Sequence, residues 1–224
     1  MTGGLNTMTG SAEKSTAGEK SPAGEKSATG GKSTAGRRAL LVLAHPRPDS
    51  LTAQLARHTE ARLVREGYAV DLLDLHAEDF DPRLGPGDEP DWADRDKAYS
   101  PEVQAHMARV EAADVIVAVF PLWWFGPPAI LKGWIDRVWN YGFAYGRSTP
   151  RLRGKRMLWL GLVSYTQAEF TEQGWDRTVT HTLRTGISRF CGIEDTSVHF
   201  VYDSLNAGEA AFKSADLALD AFTP

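Results

Sequence analysis

Beyond residue 36 the chain alternates between short, continuous apolar runs and longer amphipathic stretches. "ALLVLAH" (39–45), "DVIVAVF" (114–120) and "RMLWLGLV" (156–163) are almost uninterrupted apolar runs, the pattern of strands buried on both faces of a parallel sheet. "YAVDLLDL" (68–75) and "SVHFVYD" (197–203) complete a set of five. The stretches between them have helical spacing. The first helix is expected to start at Asp49 or Ser50, either of which can cap it, to run to about Glu66 and to stop at Gly67. Others are expected at 101–113, opened by Pro101, at about 128–140, near 174–190 and after the fifth strand. Residues 76–100 are acidic and rich in Pro and Gly, and read as a long connection, either solvated or laid over a partner subunit.

Strands alternating with helices imply right-handed crossovers and a parallel sheet. The expected fold class is therefore α/β: a flavodoxin-like, doubly wound, five-stranded parallel sheet with helices on both faces. In strand order 2-1-3-4-5 the order reverses between the first and third strands, and ligands bind there, beyond the C-terminal strand ends. The two loops at that point are "HPRPDSLT" (45–52) and "PLWWFG" (121–126).

Composition narrows the function classes. The 224 residues carry a net charge of −4, which gives no basic surface for nucleic acid. Cys191 is the one cysteine, so an intrachain disulfide and a thiolate metal cluster are both excluded. No apolar run is long enough to span a bilayer, and the N-terminus has no apolar signal core. A cytoplasmic protein with no direct membrane insertion is expected. Residues 1–36 repeat "STAGEK", "SPAGEK" and "SATGGK" with nothing to bury, which predicts a disordered low-complexity tail or a mis-set start ahead of one domain over 37–224.

Neither a dinucleotide fingerprint nor a Walker loop is present. The first loop instead offers His45, then Ser50, Leu51 and Thr52 at a helix N-terminus, where free N–H groups and the helix dipole favour a phosphate. The plain alternative is that Ser50 only caps the helix. In the second loop, Trp123, Trp124 and Phe125 stand at the ligand crevice, where a flat ring needs an apolar wall. The stripe Ile130, Leu131, Trp134, Ile135, Val138 and Trp139 behind them reads as core or subunit interface. Cys191 reads as structural, and Asp71, Asp74 and His76 are spread over both strand faces, so no metal site is expected.

"LVLAHPRPDSLT", "FPLWWFGPPAILKGWIDRVW", "FAYG" and "FCGIED" resemble the NAD(P)H:quinone oxidoreductase (DT-diaphorase) family, collinearly over about 38–205. Segments "DEPDW" and "YSPEV" are similar to a bacterial branch of NAD(P)H oxidoreductases. The resemblance implies a homodimer that takes two electrons from NAD(P)H onto FAD or FMN and passes them to a quinone, in two alternating half-reactions. It implies that His45, Ser50, Leu51 and Thr52 hold the flavin phosphate. Leu122, Trp123, Trp124 and Phe125 would line the flavin ring, and Leu162, Val163, Ser164 and Tyr165 would close over its pyrimidine side. Trp124, Phe125, Tyr145, Arg147 and Phe170 would meet the substrate. Where the family commonly has Thr-Thr-Gly-Gly, this chain reads Leu162-Val163-Ser164-Tyr165; where its mammalian-type enzymes have a tyrosine and a histidine near the flavin, Phe170 and Asp176 stand. Phe170 has no proton to donate, so no catalytic residue is assigned. The departure also keeps a second reading in view, a flavin- or nucleotide-binding regulatory subunit of a membrane transporter.

Overall fold

Along β1 (Arg38–Leu43), Leu40 and Val42 turn to one face of the sheet, and Ala39, Leu41 and Leu43 turn to the other. That alternation builds two cores, one on each face. The structure, a computed structural model, describes residues 36–223. Strands β1, β2 (Ala69–Asp74), β3 (Val115–Pro121), β4 (Arg156–Leu162) and β5 (Asp195–Val201) form one parallel sheet in the order β2-β1-β3-β4-β5. β3 is buried along its whole length, as its unbroken apolar sequence requires.

Helices α1 (Leu51–Arg65) and α6 (Glu209–Phe222) cover one face, burying Leu55, Leu63, Leu219 and Phe222 against Leu41, Val117 and Leu160. On the other face α2 (Pro101–Ala112), α3 (Ala129–Val138) and α5 (Trp175–His181) pack on Leu40, Ile116 and Trp159. Leu131, Trp134, Ile135, Val138 and Trp139 are all buried there, so most of the α3 stripe is core. α5 does not end at His181 but continues in π-helical turns through Arg189. Of the segment expected to be a disordered tail, all but Gly36 lies outside the described residues.

Three expectations need correction. A short helix, α4 (Gln167–Glu172), follows β4, closed by a reciprocal cap between Thr166 and Glu169. That cap pattern stands in the sequence, but six residues are too few to show a helical period. β5 starts two residues earlier than read, because Asp195 pairs with Arg156 and carries the ladder outward. The connection 76–100 is not merely solvated. Asp88, 4% exposed, bonds Arg137 at 2.8 Å and receives the N–H and hydroxyl of Ser100. Burial opposes ionisation of Asp88, yet the Ser100 donors and the guanidinium hold its carboxyl below the usual range. A Cβ on Gly133 would meet the Pro82 carbonyl oxygen at 2.2 Å, so the connection lies directly on α3. Among the described residues no helix is long and apolar enough to cross a membrane.

Candidate functional site

The parallel ladder continues past the strand ends and fixes the loops that follow. Leu122 N–H donates to the Leu162 carbonyl at 2.8 Å, and Val163 N–H donates to Val201 at 2.8 Å. Asp203 N–H then reaches the Tyr165 carbonyl at 2.8 Å and Ser204 N–H reaches Val163 at 2.9 Å. The loops after β3, β4 and β5 are thus one bonded platform at the C-terminal edge of the sheet.

At one end of that edge, Ser50 caps α1 by accepting the Ala53 N–H at 3.2 Å. Leu51 and Thr52 are the first helical residues, whose N–H groups have no partner within the helix. His45 accepts the Arg47 N–H on Nδ1 at 3.0 Å, so a neutral ring carries its hydrogen on Nε2 as a free donor. Burial holds its pKa below the ordinary 6.5, and the ring is neutral near pH 7. These groups, with Arg47, Leu122, Trp123, Leu162, Ser164, Ser204 and Leu205, line a depression of about 320 Å³.

The second loop is a tight hairpin. Trp123 and Gly126 exchange N–H···O bonds at 3.1 Å in both directions, and the two residues between them, Trp124 and Phe125, have φ of 51° and 57°. Positive φ at both central positions is the pattern of a type I′ turn, normally filled by Asn-Gly. Two bulky aromatics in that backbone cost about 1–3 kcal/mol each. The turn aims them differently. Trp124 is 96% exposed, whereas Phe125 rests on Trp175 with ring centroids 4.4 Å apart. Tyr165 also meets Trp175, tilted, with centroids 5.0 Å apart, and the fully buried Phe170 lies edge-on to it at 5.8 Å. Leu122, Trp123, Trp124, Phe125, Val163, Ser164, Tyr165 and Phe170 enclose a second depression of about 370 Å³.

The two depressions share Leu122, Trp123 and Ser164 and so form one crevice, polar at the α1 end and aromatic at the other. All twelve residues expected to hold a cofactor lie on it, and Phe170 forms part of its floor. Tyr145 and Arg147 do not. Tyr145 packs against Tyr141 at 5.8 Å and Phe190 at 5.4 Å, and Arg147 bonds Asp96 and the Gly142 carbonyl. They follow α3 and are met by the 76–100 connection through Trp92 and Asp96. Asp176 also lies off the crevice, one residue beyond Trp175.

The donor set suits a flavin. An apolar slot walled by Trp123, Phe125 and Tyr165 matches a flat ring, and the imidazole, hydroxyls and helix N–H groups of the first depression match a phosphate. Arg47, Ser204, Leu205 and Trp175 were missed in the sequence reading. Arg47 stands inside the motif already singled out, and the other two lining residues follow the fifth strand end, where the crevice rule applies equally. Cys191 is buried, which pushes its thiol up to about 12 and leaves it unreactive.

A family model for the flavodoxin-like fold matches residues 37–222. An uncharacterized NAD(P)H oxidoreductase of Escherichia coli is 42% identical over 168 residues, spanning 75% of this chain and 85% of that protein. NAD(P)H dehydrogenase (quinone) 1 of Rattus norvegicus is 33% identical over 188 residues, covering 74% of this chain and 69% of that protein. Among solved structures, a putative quinone reductase from Klebsiella pneumoniae superposes with a TM-score of 0.71 at 27% identity, over 81% of this chain and 82% of that chain. An NAD(P)H:quinone oxidoreductase from Methanothermobacter marburgensis gives a TM-score of 0.75 over 84% of this chain and 96% of that one. At 20% identity that likeness speaks to the fold.

Proposed function

Since the chain belongs to the flavodoxin-like family of NAD(P)H oxidoreductases, we propose that it is a flavin-dependent enzyme that moves two electrons from NAD(P)H to a quinone or similar flat acceptor. The observation that carries this reading is the single crevice that joins a phosphate-type helix N-terminus to an aromatic slot. A flavin bound there, FMN or FAD, supplies the hydride chemistry.

The residues do the rest. The His45 Nε2–H, the Arg47 side chain and the N–H groups of Leu51 and Thr52 bind the phosphate end. Trp123 and Leu122 form one wall of the slot, and Ser164 and Tyr165, with Leu162 and Val163, form the other. Phe125, braced by Trp175, and the exposed Trp124 exclude water and clamp the nicotinamide and then the acceptor, each in turn, on the open face. Phe170 offers no proton, so the acceptor's proton comes from water or from the hydroxyls of Ser164 and Tyr165 at the rim.

The reading includes a homodimer. Trp92 and Phe190 are 68% and 64% exposed and stand either side of Tyr145, a surface that a second copy would bury, bringing Tyr145 and Arg147 towards the substrate. It also includes a cytoplasmic setting, which a lone buried thiol suits. Steady-state turnover of NADH and NADPH with menadione, with and without added FMN or FAD, tests the activity. Flavin-dependent oxidation of either donor is expected; none with any flavin would overturn it.

A further inference from the structure

α5 and its π-helical continuation present one polar face that the crevice does not use. Asp176, Arg177, Thr180, His181, Arg184, Thr185 and Arg189 line a shallow depression along it. Over α5 the spacing is that of a single helical stripe. Beyond His181 the helix continues in π turns, and Arg189, four residues after Thr185 and eight after His181, lines the same depression. π-Helical turns are rare and, as single-turn bulges in α-helices, are frequent at functional sites. The result is a row of three guanidiniums, an imidazole and two hydroxyls.

Little on this face neutralises the row. Among the described residues, the ion pair that reaches it is Arg189 with Glu194, at a loose 3.8 Å. Arg184 donates Nε to the Thr196 carbonyl at 3.0 Å, which fixes its stem and leaves the terminal nitrogens to solvent. The acidic residue on the face is Asp176, whose Oδ1 is buried and turned in. The row also starts at the site. Asp176 follows Trp175, the ring that braces Phe125 and Tyr165 at the aromatic end of the crevice. Arg184 lies about 12 Å beyond Asp176 along the helix axis at the α-helical rise per residue.

We propose that this face binds the 2′-phosphate of NADPH, so that the chain prefers NADPH to NADH. The inference rests on the oxidoreductase reading and extends it to the choice of donor. A nicotinamide clamped on the open face of the slot would have its pyrophosphate and adenosine outside the crevice, where α5 offers the adjoining surface. The two donors differ by one phosphate ester on the adenosine ribose. Guanidiniums recognise such a dianion by paired, charge-assisted hydrogen bonds, and the threonines add hydroxyl donors.

The test compares kcat/KM for NADPH and for NADH in the flavin-loaded protein and in Arg177→Ala, Arg184→Ala and the double variant. Circular dichroism and thermal midpoints check folding. A second arm titrates adenosine 2′,5′-bisphosphate and adenosine 5′-monophosphate into each flavin-free protein by calorimetry, a readout independent of turnover. The NADPH/NADH ratio should exceed one and fall about tenfold or more in the double variant, as expected when a charge-assisted contact is lost. Arg184→Lys should retain part of it, and the bisphosphate should bind the parent chain more tightly than the monophosphate. Turnover with both donors at a ratio the variants leave unmoved would overturn this inference and leave the oxidoreductase reading intact. Equal affinity for the two nucleotides would also overturn it. No turnover with either donor would overturn both.

Discussion

Phe125 and Trp175 lie with ring centroids 4.4 Å apart and planes inclined by 35°, joining the hairpin after β3 to the first turn of α5. Through this contact a strained turn is held against the body of the domain. Trp175 touches Tyr165 and Phe170 as well, so one ring supports three walls of the crevice. Trp175→Ala should weaken flavin binding by up to about tenfold, the worth of an aromatic pair, and should raise the KM for the acceptor. Fluorescence titration of the apo-protein with FMN and FAD measures it; an unchanged Kd would show that the hairpin holds its shape without the brace.

The hairpin itself predicts a gain in stability at the expense of binding. Trp124 has φ of 51° and is 96% exposed, so its side chain contributes almost no burial while its backbone is strained. Trp124→Gly should raise the stability of the flavin-free protein by up to about 1 kcal/mol, the αL penalty less the added entropy of glycine. The same change should loosen the clamp on the nicotinamide and raise its KM. Urea midpoints and donor titrations read the two effects separately. A variant that is both less stable and kinetically normal would mean that Trp124 packs on something and does not clamp.

The Asp88–Arg137 pair is the main fastener of the 76–100 connection. Arg137 also meets Glu102 at 2.7 Å, and Asn140 donates to the Asp88 carbonyl at 2.7 Å. Asp88→Ala leaves a buried guanidinium short of a partner and should cost about 3–5 kcal/mol. The loss should appear in the denaturant midpoint, with flavin affinity per folded molecule nearly intact because neither Asp88 nor Arg137 lines the crevice. A loss below about 1 kcal/mol would place the pair with ordinary surface bridges.

Acid should destabilise the flavin-free protein in two stages. Burial lowers the pKa of His45, His106 and His199 below 6.5. The unfolded chain therefore takes up protons first as pH falls, and stability declines from 6.5 downward through the depressed values. Asp81, held to about 2 by Arg83, and Asp88, held down against burial by Ser100 and Arg137, add a second stage. Their contribution is complete above the ordinary 3.8 and is lost below it. Urea midpoints across pH measure both; a flat profile between about pH 7 and about pH 5 would contradict the histidine stage.

Much of this was legible in the chain. Unbroken apolar runs such as Val115–Phe120 leave a two-faced parallel strand as the economical reading, and five strands in alternation with helices make the flavodoxin-like order, which the sheet adopts, the leading candidate. The twelve crevice residues followed from the switch-point rule and the resemblance together. What stayed hidden rests on non-local partners. Asp88 looks like one more acid in a solvated loop until Arg137, 49 residues later, buries it. Nothing in "LWWFG" announces positive φ at two aromatics, because the turn is imposed by the Trp123–Gly126 bonds and paid for by stacking on Trp175. α4 was too short for periodicity, and the residue spacing after His181 does not distinguish π turns from α-helical ones.

The most direct test of the central claim is a visible absorbance spectrum of the purified protein, followed by anaerobic addition of NADPH or NADH and then menadione. The account predicts flavin bands, present as purified or after reconstitution with FMN or FAD, that bleach with the nucleotide and return with the quinone. A chain that takes up neither flavin would mean that the crevice serves another ligand. A bound flavin that neither nucleotide reduces would contradict the enzyme and favour a regulatory subunit.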